Sequence, residues 1–357
     1  MFRFLTAGES HGPALTAIIE GIPAGLQLDL DQINVDMARR QQGFGRGGRM
    51  KIEKDKAEIT SGVRFGSTLG SPLTMMISNR DWENWQERMA VFGQSQGDEI
   101  TAPRPGHADL PGVLKYQRHD IRDILERASA RETAARVAVG AIAKQLIAVA
   151  GITITSSVLN IGGAQTETEM LEAIAKAKTA GDSLGGIFQV MASPVMPGLG
   201  SHVQWDRRLD TRLAAAVMSI QAIKGVEFGA GFAYANLPGS QVHDEIYYES
   251  KQGYYRRTNN AGGIEGGISN GEPIILKAVM KAIPTLMKPL ATVDIADKTA
   301  IKANTERSDV CAVAAAAVVA EAMMAIVLAQ SLLEKFGGDS IEDLRQAINS
   351  YRIRINE

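Results

Sequence analysis

The chain has 357 residues and a formal net charge of −2, and 45 % of its residues are hydrophobic. That length allows roughly two domains, and the balanced charge excludes a global pull toward nucleic acid or an anionic membrane. A single cysteine, Cys311, excludes an internal disulfide framework and a cysteine-based zinc site.

The five histidines (His11, His107, His119, His202, His243) are scattered without metal-ligand spacing, so no metal is expected. The start, MFRFLTAGESHG, has no apolar signal region. The longest apolar tract, residues 310–329, is alanine-rich and interrupted by Glu321, which favours a buried helix over a membrane span. A soluble cytoplasmic protein with no membrane or nucleic-acid partner is the expectation.

In chain order, residues 2–26 predict a strand, a polar motif at Gly8-Glu9-Ser10-His11-Gly12, a second strand through Ile22 and a turn. Asp29 or Asp31 then opens a helix with Ile33 and Met37 on one face, ending at Arg39-Arg40. Residues 39–51, RRQQGFGRGGRMK, hold too many cations and glycines for a core. They are either a solvated loop or an arginine-rich lid that closes on phosphate or carboxylate groups. Residues 59–79 predict two strands around Gly62, Gly66, Gly70 and Pro72, and residues 80–103, with Trp82 and Trp85, a polar excursion.

Residues 104–150 form the centre of the chain. Arg104 to Asp109 is a loop carrying His107 between glycine and acid. A helix follows, with Ala134, Val137, Ala138, Ala141, Ile142 and Leu146 at helical spacing. Ser129 and Glu132 have the spacing of a capping box at its start. Arg127 and Arg131 bracket that helix entry, which suits an anion.

Beyond this helix the pattern restarts. Gly181-Asp182-Ser183-Leu184-Gly185 repeats the 8–12 motif, and Gly198-Leu199 repeats Gly25-Leu26 at the same offset. Gly263, Gly267, Gly271 and Pro273 match Gly62, Gly66, Gly70 and Pro72, and the helix after Arg307 matches the one after Arg127. Four motifs in one order imply an internal duplication of about residues 1–150 and 175–340. Two such copies pack most simply about a pseudo-twofold axis, their alanine-rich helices together and their strands outside. The predicted fold is therefore a single α+β domain, internally duplicated, with helices sandwiched between two mainly antiparallel β-sheets.

The copies also separate scaffold from chemistry. Ser10 has its match in Ser183, but His11 faces Leu184, so the turn itself does not need a histidine. Asp309 stands opposite Ser129, and its plainest role is an N-cap.

GESHG, MARRQQGFGRGGRM, RPGHAD, RASARETAARVA, MSIQAIKGVE, AGGIEGGISNG and ERSDVCAV follow one another along almost the whole chain. Together they resemble the chorismate synthase family. The resemblance implies a lyase that releases phosphate from 5-enolpyruvylshikimate 3-phosphate to give chorismate, at the end of the shikimate pathway to aromatic amino acids. It implies reduced FMN as cofactor without net redox change, NADPH as a reductant, and a homotetramer. By the same resemblance His11, His107 and Asp309 are catalytic, and Ser10, Arg40, Arg46, Arg49 and Arg131 bind substrate. Arg40 and Arg46 also match nicotinamide-nucleotide positions. Flavin contacts fall on Arg127, Ala128, Ser129, Gln221, Ala222, Gly266, Lys281, Ala282, Ile283, Pro284, Thr285 and Arg307. Ala128, Gln221 and Ala282 depart from the usual family residues. The alternative from another class is a non-catalytic binder of phosphometabolites or RNA using the basic loop. No GxGxxG strand–helix fingerprint supports a nicotinamide-dependent flavin reductase.

Overall fold

The structure is a computed structural model that describes residues 2–48, 52–94, 97–250, 253–305 and 308–356. Arg49 and Arg307, both expected at the site, lie outside the described residues.

The first sheet is built from β1 (Arg3–Ala7), β2 (Ala14–Glu20), β3 (Glu58–Ser61) and, after a small hairpin of β4 (Val63–Arg64) and β5 (Ser67–Thr68), β6 (Leu73–Ser78). Its order is β1-β2-β6-β3, antiparallel throughout. Strand alternation decides its inner face: Leu15, Ala17 and Ile19 of β2 and Leu73, Met75 and Ile77 of β6 are buried. Helix α1 (Leu30–Gln41) connects β2 to β3, and the Asp29 carboxylate caps it by accepting from the amides of Asp31 and Gln32. Ile33 and Met37 are its buried face, as expected.

Past β6 come α2 (Asp109–Tyr116), α3 (Arg122–Ala128) and α4 (Thr133–Ala148). The second sheet holds β7 (Thr153–Ile161), β8 (Gly186–Ser193) and β9 (Ile223–Phe228), with α5 (Glu167–Thr179) and α6 (Leu209–Met218) between them. Two hairpins follow, β10 (Ile246–Glu249) with β11 (Gly253–Arg256) and β12 (Ile264–Glu265) with β13 (Ile268–Ser269). Strand β14 (Ile274–Met280) completes the sheet in the order β7-β8-β14-β9, again antiparallel. A last hairpin of β15 (Ala291–Val293) and β16 (Ala300–Lys302) precedes α7 (Val313–Phe336) and α8 (Ile341–Asn356).

Helix α4 lies on β2 and β6, α7 lies on β7 and β8, and the two helices pack on each other. The result is sheet, helix, helix, sheet. The helices approach so closely that a Cβ added to Gly140 would sit 2.2 Å from Cβ of Ala322. Alanine and glycine at the seam make that approach possible, because any larger side chain would hold the backbones apart.

Helix α7 is long and apolar enough to cross a membrane, but 89 % of its most apolar 18-residue window is buried inside the protein, so its apolarity is that of a core helix. The buried Glu321 in its middle is fully engaged. Its carboxylate accepts from Arg39 at 2.7 and 2.8 Å, Lys144 at 2.7 Å and Ser156 at 2.6 Å.

Two local expectations are corrected. The capping box at Ser129 and Glu132 does not form: Ser129 Oγ accepts from the Arg131 amide at a 3₁₀ turn, and the α-helix starts only at Thr133. The Glu132 carboxylate goes instead to Arg136 at 2.9 Å and Thr6 at 2.9 Å, since a guanidinium one turn ahead is a stronger partner than a backbone amide. Asp309 is not the N-cap of α7. That position is Ala312, without a side-chain cap, and Asp309 bonds to the basic loop.

Candidate active site

The turn at residues 8–12 needs its first glycine. Gly8 has φ +108°, and a Cβ there would meet the Ala14 carbonyl oxygen at 2.4 Å. Asn79, at the end of β6, holds the turn from beneath by donating Nδ2 to the carbonyls of Ser10 at 3.3 Å and Gly12 at 2.7 Å. Glu126 of α3 fixes His11. Its Oε2 accepts the His11 main-chain N–H at 2.8 Å, and its Oε1 lies 2.9 Å from the ring Nδ1.

The loop before α2 delivers the second imidazole. Asp109 Oδ1 lies 2.5 Å from Nδ1 of His107, and Oδ2 accepts Nε–H of Arg104 at 2.8 Å. Arg104 Nη1 also donates to Thr285 Oγ1 at 3.1 Å, tying this loop to the segment after β14.

Cations converge from other elements. Arg40, at the end of α1, and Arg131 both bond to buried Asp55, at 2.7 Å and 2.6 Å. Arg131 Nε donates to Asn79 Oδ1 at 2.9 Å, which joins the arginine to the His11 turn. In the basic loop, Arg46 pairs with Asp309 at 3.0 Å, and the Gly47 amide donates to Asp309 Oδ1 at 2.6 Å.

These groups line a cavity of about 480 Å³, a size that suits a small ligand or cofactor. The described lining includes Arg40, Arg46, Arg104, Arg131, Lys224 and Lys281 against one carboxylate, Asp309. The carboxylates that balance the cations sit behind them. Burial opposes the ionisation of Asp55, but Arg40 and then Arg131 outweigh it and hold the carboxyl below its ordinary range. Lys281 moves the other way: burial lowers its pKa, aided by Lys224. The remaining wall is small and apolar, with Ala128, Ala222, Ile223, Pro284, Ala315 and Ala316.

Of the expected site residues, the cavity brings together Ser10, His11, Arg40, Arg46, His107, Ala128, Ser129, Arg131, Gln221, Ala222, Lys281, Ile283, Pro284, Thr285 and Asp309. Three others sit elsewhere. Arg127 donates to the Thr6 and Gly8 carbonyls and is not in the lining. Gly266 lies in the turn between β12 and β13, and Ala282 lies between lining residues without joining them. Sequence reasoning missed Lys224, Thr133 and Ser308 in the wall, Arg104 beside His107, and the buried Glu126 and Asp55. A charged residue on the apolar face of a short helix was the available signal for Glu126, and Asp55, in a run of charged residues, offered none.

Six cations among the described residues surround one cavity with two carboxylate-backed imidazoles at its wall, an arrangement suited to an enzyme that takes a small polyanionic molecule. The family model described as chorismate synthase matches residues 2–333, and the chain belongs to the chorismate synthase family. Chorismate synthase of Geobacter sulfurreducens (strain ATCC 51573 / DSM 12127 / PCA) is 56 % identical over 98 % of this chain and 98 % of its own. The same-named protein of Caldanaerobacter subterraneus subsp. tengcongensis (strain DSM 15242 / JCM 11007 / NBRC 100824 / MB4) is 59 % identical, also over 98 % of both chains. A solved structure titled "Crystal Structure of Chorismate Synthase" superposes with a TM-score of 0.80 at 44 % identity, over 99 % of this chain and 98 % of that one.

Proposed function

We propose that the chain is a carbon–oxygen lyase that eliminates phosphate from 5-enolpyruvylshikimate 3-phosphate to give chorismate. The observation that carries this reading is the family match over residues 2–333. The cation-lined cavity supports it, because the substrate brings a phosphate and two carboxylates. The RNA-binding alternative is not favoured: the cations gather around one cavity rather than along an extended stripe.

The family implies a flavin, and the residues present fit one. The wall at Ala128, Ser129, Gln221, Ala222, Lys281 and Ile283 to Thr285 is small enough for a flat ring, and the buried Gln221 Oε1 there has no hydrogen-bond partner among the described residues. When bound in its reduced state, FMN supplies electron density to a substrate ring that loses a C3 phosphate and a C6 proton from opposite faces, with no net redox change.

The chain's own residues do the rest. Arg40, Arg46 and Arg131 orient the anionic groups, the first and last pre-organised by Asp55. His11 acts as the acid at the leaving phosphate. His107 governs protonation on the flavin side, and Asp309, beside the Gly47 amide, relays a proton there. Loop residues 43–48 close over the cavity and exclude water. Arg40 and Arg46 are also the candidate contacts for NADPH as reductant. The reading includes a cytoplasmic homotetramer and one domain with an internal repeat, the latter supported by the matching strand orders of the two sheets.

The test is anaerobic phosphate release from 5-enolpyruvylshikimate 3-phosphate with and without chemically reduced FMN. Release is expected only with the reduced flavin, and full turnover in flavin-free, reductant-free buffer would overturn the mechanism.

A further inference from the structure

The two imidazoles in the cavity wall are held from behind by one device used twice. At His11, the ring Nδ1 lies 2.9 and 3.0 Å from the two Glu126 oxygens, and Arg122 donates Nη1 to Oε1 at 2.9 Å. At His107, Nδ1 lies 2.5 Å from Asp109 Oδ1, and Arg104 donates Nη2 to the same oxygen at 3.1 Å. In both cases the nitrogen is Nδ1, the carboxylate side chain is almost wholly buried, and an arginine shares it.

The protonation of the carboxylates decides the tautomers. Burial opposes ionisation of Glu126, but the hydrogen bond from His11, with the nearby Arg122 charge, outweighs it and holds the carboxyl below its usual range. Burial opposes ionisation of Asp109 too, and the hydrogen bonds from His107 and then Arg104 overcome it. An ionised carboxylate only accepts, and a neutral imidazole carries one N–H. The hydrogen in each contact must therefore be on Nδ1. The other tautomer would turn the Nδ1 lone pair onto carboxylate oxygens. Arg104 Nη2 also lies 3.1 Å from His107 Nδ1, but a guanidinium only donates and a protonated Nδ1 has no lone pair to accept, so its bond is the one to Asp109.

We propose that Glu126 and Asp109 are positioning residues that lock His11 and His107 as Nδ1–H tautomers, making Nε2 the proton-exchanging atom of both rings. This rests on the reading of His11 and His107 as the acid–base groups of the site. A carboxylate in this place fixes both the orientation and the tautomer of an imidazole.

The test uses the full-length protein labelled with ¹⁵N-histidine, with the five histidine signals assigned by single substitution. Long-range ¹H–¹⁵N spectra above the imidazole titration range should show a protonated Nδ1 and a bare Nε2 for His11 and His107. A protonated Nε2 on either ring of the unmodified protein overturns the inference, whatever the kinetics. Glu126→Gln and Asp109→Asn give the second readout. An amide can donate as well as accept, so each should yield mixed tautomers at its own histidine. Each should also lower kcat at least tenfold while KM changes by less than about threefold. Pure Nδ1–H signals with unchanged kcat in a folded amide variant overturn the positioning role. His11→Leu separates the underlying reading: normal turnover there removes the acid–base assignment but leaves the spectrum of the unmodified protein as it was.

Discussion

Trp85 stacks on His11, with ring centroids 4.0 Å apart and planes 26° from parallel. The tryptophan follows a 3₁₀ turn at Arg80–Asn84, and its Nε1 donates to Asp81 Oδ2 at 3.2 Å. The Arg122 guanidinium, which also serves Glu126, lies 4.8 Å from the centre of one of its rings. Trp85 therefore covers the imidazole and links it to the arginine behind. Trp85→Ala should cost about 1 kcal/mol of stability, the usual worth of a stacked aromatic pair. It should also reduce anaerobic phosphate release several-fold by loosening His11. A melting curve and a phosphate assay on this variant check both, and unchanged turnover would detach Trp85 from the site.

The two turns at residues 8–12 and 181–185 supply their own control. Leu184 donates its amide to the Val310 carbonyl and rests its side chain beside Gly162. His11→Leu should fold, with a stability change of about 1–2 kcal/mol, the ordinary range for one substitution. Its phosphate release should drop by about 10²-fold or more while FMN still binds. Leu184→His should do the reverse, keeping activity and losing stability, because an imidazole there needs a polar partner. Thermal melting, flavin titration and phosphate release decide between the two outcomes.

Gly140→Ala sets two effects against each other. Alanine gains about 1 kcal/mol of helix propensity over glycine. The added Cβ, however, would lie 2.2 Å from Cβ and 2.4 Å from Cα of Ala322, and a backbone atom cannot swing aside. Forcing α4 and α7 apart should cost more than the propensity returns, for a net loss of about 1–3 kcal/mol. Equilibrium denaturation measures it, and a stabilised variant would show that the helix seam has room.

Acid should unfold this protein through a known set of groups. Asp55, Asp109, Glu126, Glu132 and Glu321 all have carboxyl pKa values below their ordinary ones, because paired cations and hydrogen bonds outweigh burial. A carboxyl depressed in the folded state contributes stability above its unfolded pKa of about 4, and loses it as pH falls toward the folded value. Melting temperature should be nearly flat from about pH 8 to pH 5 and fall steeply below about pH 4. Glu321→Gln should shrink that acid limb and lower stability at neutral pH, because Arg39 and Lys144 lose their shared charge. An acid limb of the same size in that variant would exclude Glu321 from the set.

Much of this was legible in the chain because periodicity reports burial. The alternation in β2 and β6, the helical spacing of α4 and the apolar run of α7 each gave the right element. His11 stood out because its counterpart in the second copy is Leu184, and His107 because it sits in a glycine- and proline-rich loop. Local spacing failed where a distant partner was stronger: Ser129 and Glu132 had the spacing of a cap, yet Glu132 is claimed by Arg136 and Thr6. The true capping box, Thr166 with Glu169 at the start of α5, passed unnoticed. Glu126 and Asp55 could not be placed at the site from local spacing, because His11 lies 115 residues from Glu126 and Arg131 76 residues from Asp55. Trp85 looked like surface because its segment has no period at all.

The loop that carries His107 is sewn to the segment that follows β14, late in the chain. The Ile295 amide donates to the Thr101 carbonyl at 3.0 Å, Thr101 Oγ1 to Asp294 at 2.8 Å, and Thr292 Oγ1 to the Pro103 carbonyl at 2.7 Å. Arg104 and Lys281 add their bonds to Thr285 and the Gly106 carbonyl. Nearly two hundred residues separate the two edges of this seam, so closing it carries a large loop entropy and rewards the chain late. During refolding, helices should regain their circular dichroism well before the protein regains the ability to hold a ligand. The site is then a timer for the fold: a nascent or half-refolded molecule has its secondary structure and cannot yet react.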